Sequence, residues 1–215
     1  MMEPAGVGLS IAGRAHTLHA TPVATSVPEI WLLGSSDYSA RLAAEKGMPY
    51  VFAHHFSGSG TAEALELYRS TFRPSPVASA GGERSDRRPL AEPRTFLTVN
   101  AVVAESTEEA ERLALPNLLM MVALRTGQPL GPQLLVEEAE KVDLPEQHRA
   151  LVAAMRERWV IGSPDAARAQ IEELAAAYAV DEVMVHPVAA AHVGTEPDRS
   201  PAREETLRLL AGSDD

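Results

Sequence analysis

Residues 33–39, Leu-Gly-Ser-Ser-Asp-Tyr-Ser, carry the groups that can hold a phosphate dianion. Such a ligand needs fixed hydrogen-bond donors and a positive potential, and the first turn of a helix supplies both through its free backbone amides and its dipole. Gly34 leaves the backbone clear of a side chain at the point of approach. Ser35, Ser36 and Ser39 add hydroxyls, and the Ser36–Ser39 spacing places the last two on one side of a helical turn. The same residues also suit an ordinary strand-to-helix corner. Ser and Asp cap helices, Gly closes strands, and the Asp37 carboxylate must point away from any bound dianion. On pattern alone both readings stand.

The histidines are the other chemistry-bearing residues. His54 and His55 end an apolar run, and neighbouring strand positions point to opposite faces, so at most one of them faces a common pocket. Each is either a pocket residue or a hydrogen-bonded structural histidine. His186 ends a later run and follows the same logic, and Asn100 lies within a strand as a buried amide. His16 and His19 have a spacing that permits a shared ligand, but no carboxylate lies close by and no metal is expected. Trp31 and the Met120–Met121 pair are expected in the core. "SGSGT" at 57–61 lacks the lysine of a phosphate-binding P-loop.

These residues need a scaffold, and the chain alternates strand and helix signals from residue 30 onward. "EIWLLG", "MPYVFAHHF", "TFLTVNAVVA" and "DEVMVHPV" read as four strands. Helices follow at about 37–46, along the face of Leu65, Tyr68 and Phe72, from Ser106 to about Arg125, near 134–141 and 145–158, after Ser163, and in "SPAREETLRLLAG". Ser106 with Glu109 forms a capping-box pattern, and Ser163-Pro164 a helix start. Pro116 is expected to kink or break its helix. Residues 74–94 read as a long mobile loop. Strands separated by helices cannot pair as hairpins, so a parallel α/β sheet with right-handed crossovers is expected. Residues 1–27 read as a poorly defined N-terminal segment, in which "VGLSIAG" resembles a short strand and "HTLHATPVATS" a loop.

Composition sets the outer bounds. The 215 residues suffice for one good-sized core, with 45% apolar residues and no cysteine, which excludes disulfides and thiol catalysis. A formal charge of -11 argues against nonspecific nucleic-acid binding. No apolar run approaches the roughly 20 residues of a membrane span, and the N-terminus is a poor signal peptide, so a cytoplasmic protein is expected.

The stretch "PEIWLLGSSDYSARLAAEKGMPYVFAHHFSGSGTAEALELYRSTFRPS" resembles the second half of the bacterial-luciferase-like flavin monooxygenases. "NAVVAESTEEAERLA" and "VIGSPDAARAQIEELAAAYAVDEVMV" are also similar to that family, so the resemblance covers about residues 28–187. It implies a TIM-type (β/α)8 barrel, incomplete here, with 28–215 as the half-barrel domain. It implies reduced FMN, or in relatives a deazaflavin, with O2 and an organic substrate such as an aldehyde. By position, Leu33 and Ser35 would contact the flavin phosphate through the backbone, with Gly34, Ser36 and Ser39 around it. His54 or His55 would line the flavin pocket as catalytic candidates.

A full barrel needs roughly 250 residues and eight strands, whereas four units are legible here and match the family's fifth to eighth. An isolated half would leave open strand edges and an uncovered face. The expected partners are therefore a second copy or a complementary half-barrel chain, with a flavin reductase as supplier of reduced cofactor. The alternatives are a noncatalytic flavin-binding or remnant protein of the same family, and a stand-alone α/β domain for a phosphorylated ligand.

Overall fold

The computed structural model describes residues 6–19, 21–22, 29–56, 58–74 and 90–212. Most of the expected 74–94 loop lies outside them. The elements run β1 Val7–Ile11, β2 Arg14–Leu18, β3 Leu32–Gly34, α1 Asp37–Lys46, β4 Tyr50–Phe52, α2 Thr61–Thr71, β5 Thr95–Val103 and α3 Thr107–Arg125. They continue with α4 Val136–Ala139, α5 Glu146–Arg156, β6 Val160–Gly162, α6 Pro164–Tyr178, β7 Val183–Pro187 and α7 Pro201–Ala211.

The N-terminal segment folds into an antiparallel hairpin, with Ile11 opposite Arg14 and Val7 opposite Leu18. Its two-residue turn, Ala12-Gly13, has both φ values positive, as the twist of tight hairpins demands. "HTL", expected in a loop, is thus the second half of β2. All ten strand residues of the hairpin are exposed.

The remaining strands form one parallel sheet. β3 pairs with β4 and β4 with β5, whose nine residues make it the spine of the sheet. Leu97 pairs with both Phe52 and Val183, and Ala101 with both Val160 and Pro187. Each strand has only two edges, so β7 occupies the edge opposite β4 and β6. The expected parallel α/β architecture is therefore found, and the order β3-β4-β5-β7 is compatible with an arc of a TIM-type barrel. β6 is an addition that periodicity did not reveal, because three residues leading into a helix carry no alternation to read.

Alternation along the strands sorts the core. Leu32, Tyr50 and Phe52 pack on Ala40, Ala43 and Ala44 of α1 and on Ala64, Leu65 and Tyr68 of α2. Leu97, Val99, Ala101 and Val103 turn the same way and meet α6 and α7. Helices thus cover one face of the sheet. On the other face, Val102, Ile161 and Val188 pack under α3, α4 and α5, which roof only the C-terminal ends of the strands. Lower on that face no helix among the described residues covers the sheet, and it is bare at its margins: Leu33 is 57% and Met184 47% exposed, while Val51, Thr98 and Asn100 between them are buried.

Capping follows the local rules. Ser106 Oγ accepts from the Glu109 amide at 3.2 Å. Gly47 closes α1 at φ 59°, and Ser163 precedes Pro164 at the start of α6. Of the expected kink or break at Pro116 the break is absent, since α3 runs through it for 19 residues. A proline removes one helical hydrogen bond. Here Leu113, Ala114, Pro116 and Leu118 are all buried, and that packing holds the helix together.

Candidate functional site

The β3–α1 corner takes its shape from one serine. Ser39 lies buried in the first turn of α1, where its hydroxyl donates to the Ser36 carbonyl at 2.7 Å. It also meets the Tyr50 hydroxyl at 3.2 Å and receives a long contact from the Ser36 amide. A side chain at Gly34 would overlap the Ser39 hydroxyl. Gly34 is therefore required by the approach of α1 to its own strand. The Ser39 hydroxyl, expected beside the ligand, is turned inward to Ser36 and Tyr50, where it positions the corner. Ser35, Ser36 and Asp37 are exposed. The first amides of α1 point out of the helix end, as in any α-helix.

Of the two adjacent histidines, of which at most one was expected to face a pocket, His54 is the one turned inward. It is 4% exposed and lies on the helix-covered side, where Nδ1 bonds Thr61 Oγ1 at 2.8 Å and the ring meets Tyr178 edge-on. Burial, and then the nearby Arg158 guanidinium, lower its pKa. It ties β4 to the start of α2.

His55 points the other way, and around it the bare face is polar. His55 Nδ1 lies 2.7 Å from Thr98 Oγ1, which itself donates to the Phe52 carbonyl at 3.0 Å. Asn100 Nδ2 donates to the His55 carbonyl at 2.7 Å, and its Oδ1 faces His186 Nδ1 at 3.0 Å. The two imidazoles stand edge to face, 5.8 Å between centroids. Thr98 and Asn100 alternate along β5 and pair with Met184 and His186 of β7, so all four share a face. Phe56, 54% exposed, borders the group, and Arg125 at the end of α3 donates to its carbonyl at 2.8 Å. Trp31, expected in the core, is half-buried on the same face, tilted 52° against Phe96 with Arg94 over its ring.

Residue type pointed to one of His54 and His55 and to His186, with Asn100 as a buried amide, but not to Thr98. Its position two before Asn100 was the available signal. A further network had none: His192 sits between Glu137 and Glu109, each 2.8 Å away, and joins α3, α4 and the segment after β7. The partners are 55 and 83 residues distant in sequence. The carboxylate of Glu137 is held at about 2 by its own backbone amide, the His192 ring and the Val193 amide. Its side-chain bond in turn raises the His192 pKa, with help from Glu109. Among the described residues no group of three or more His, Asp or Glu is placed to hold a metal ion. Nor is any helix among them long and apolar enough to cross a membrane. A concavity of about 460 Å³ between residues 193–199 and the start of α7 is lined by Glu196, Arg199 and Glu204, none of which belongs to the corner or the histidine group.

The luciferase-like monooxygenase family is matched over residues 8–182. The chain belongs to this family. It is 36% identical over 157 residues to the uncharacterized protein YvbT of Bacillus subtilis, a stretch covering 73% of this chain and 43% of that protein. The structure of apo-MsnO8 superposes with a TM-score of 0.67 at 28% identity, over 89% of this chain and 52% of that one. A Type II Baeyer-Villiger monooxygenase from Pseudomonas putida, the oxygenating constituent of 3,6-diketocamphane monooxygenase solved in complex with FMN, shares the fold at a TM-score of 0.52 and 18% identity. This member of the family therefore spans about half the length of the relatives it matches.

Proposed function

We propose that this chain is the C-terminal half of a flavin-dependent monooxygenase, in which the β3–α1 corner seats the phosphate of reduced FMN. The observation that carries the reading is the corner itself. Ser35 and Ser36 are exposed at the N-terminus of a ten-residue helix, and Leu33 beside them is exposed on the bare face. A dianion at that point meets the helix dipole and unpaired amides, and an apolar ring extending from it meets Leu33 and, across the sheet, Met184. The FMN in the Pseudomonas putida relative supports this choice over a deazaflavin.

In this reading Leu33 and Ser35 contribute backbone contacts, Ser36 a hydroxyl, and Gly34 and Ser39 the close strand–helix approach that aims them. Bound reduced flavin supplies the activation of O2 for insertion of one oxygen atom into an organic substrate. The protein's part is orientation and exclusion of water. His55 and the residues bonded to it line the ring side, and α3 roofs the C-terminal ends of the strands. A flavin reductase supplies the cofactor, and a second copy or a complementary chain covers the bare face. A site of this kind belongs to a soluble, cytoplasmic enzyme.

A second reading, a flavin-binding protein without turnover, is favoured by one observation: the face expected to hold the ring lacks the cover that half of a full-length relative would give. Purification with added FMN and a flavin reductase separates the two. A yellow chain that consumes O2 with formation of an oxygenated product supports the oxygenase. A yellow, inert chain supports the binding protein, and a chain that takes up no FMN contradicts both.

A further inference from the structure

The hydrogen bonds behind His55 and His186 determine which ring nitrogen carries each proton. Thr98 has one hydroxyl hydrogen, and its oxygen lies 3.0 Å from the Phe52 carbonyl, which can only accept. Toward His55 Nδ1 the Thr98 oxygen is then an acceptor, so His55 Nδ1 is the donor. Asn100 is constrained in the same way. The end of its amide that faces the His55 carbonyl at 2.7 Å must be the NH2, so the end facing His186 Nδ1 is the oxygen, and Nδ1 again donates. A flipped amide would set two oxygens against each other. Both neutral imidazoles are therefore Nδ1–H tautomers whose Nε2 atoms carry lone pairs, and no hydrogen-bond partner of either Nε2 is found among the described residues. Burial lowers the pKa of both rings, aided by His186 at His55 and by Arg203 at His186, which keeps them uncharged near neutrality.

We infer that His55 and His186, anchored through Thr98 and Asn100, form a twin hydrogen-bond acceptor, either ring of which takes the single hydroxyl hydrogen of an apolar substrate such as a phenol or enol. The apolar surroundings are Met184 on the same rung as Thr98 and Phe56 at the end of β4. A carbonyl-only molecule such as an aldehyde brings a further acceptor to two acceptors and gains nothing there. The tautomer assignment follows from the bonds alone. The substrate class also rests on the bare face being the substrate side of the proposed oxygenase.

Long-range ¹H–¹⁵N correlation of the imidazoles in the full chain tests both parts. The expected spectrum shows protonated Nδ1 and bare Nε2 for His55 and His186. Phenol, whose one hydroxyl hydrogen alternates between the two acceptors, then shifts both Nε2 signals saturably, with benzaldehyde binding about tenfold more weakly. Thr98→Val should release the His55 tautomer while Thr98→Ser retains it, an outcome that a purely space-filling role for Thr98 would not produce. An Nε2–H tautomer in either ring, equal binding of the two probes, or no saturable shift with phenol would overturn the inference. FMN uptake measured on the same samples reports separately on the cofactor. Phenol binding without FMN uptake would sink the flavin reading and leave the twin acceptor standing.

Discussion

Ser39 and Gly34 show how one contact serves both folding and the proposed site. The serine hydroxyl occupies the space a side chain at Gly34 would need, so Gly34→Ala should destabilise the fold by about 1–3 kcal/mol, as overpacking does. Removing the obstruction in Gly34→Ala/Ser39→Gly should recover part of that loss. Urea denaturation midpoints check this, and equal midpoints for wild type and Gly34→Ala would refute the packing account. Ser36 is exposed and makes no such contact, so Ser36→Asp should leave the midpoint unchanged and abolish FMN binding by setting a carboxylate against the phosphate. Much at this scale was legible beforehand, because capping, strand parity and glycine use are local. Parity restricted the adjacent histidines to one per face, but it could not say that His54 was the buried one. That depended on Thr61 and Tyr178, which only the folded chain brings to its ring.

At the scale of elements, the roof of α3 and α4 is tied to the segment after β7 by Glu109, His192 and Glu137. His192 has a folded pKa above its unfolded value, so its contribution is complete below about pH 6.5 and fades as pH rises through the folded value. Glu137 acts at the other end: its contribution holds above about pH 4.5 and is lost as pH falls toward 2. His192→Gln should therefore cost more stability at about pH 6 than at about pH 8.5. Denaturant unfolding at the two values checks this, and a pH-independent cost would show that the ring acts only by packing. The strand–helix alternation that gives the sheet was readable from residue 30 onward. Three features were not. Pro116 stays within an unbroken helix because burial outweighs one lost bond, β6 is too short to alternate, and β2 lay in a stretch without apolar period. Each was decided by tertiary contact or turn geometry rather than by local propensity.

At the scale of the whole molecule, β3 and β7 end the sheet with no further strand paired to them among the described residues, and Leu33 and Met184 on these strands and Phe56 after β4 lie exposed. A surface of this kind seeks a partner. If the cover is a second copy, Met184→Lys should shift the chain toward monomer in sedimentation velocity. An unchanged distribution would place the interface elsewhere. The resemblance implied an incomplete barrel, and the described parallel strands are compatible with an arc of one. The central claim is that the β3–α1 corner binds a phosphate, and paired calorimetric titrations of the chain with FMN and riboflavin address it most directly, because the two ligands differ only in that group. The account predicts FMN binding tighter than riboflavin by about tenfold or more, with the difference erased by Ser36→Asp. Equal affinity for the two ligands in the wild-type chain would contradict it.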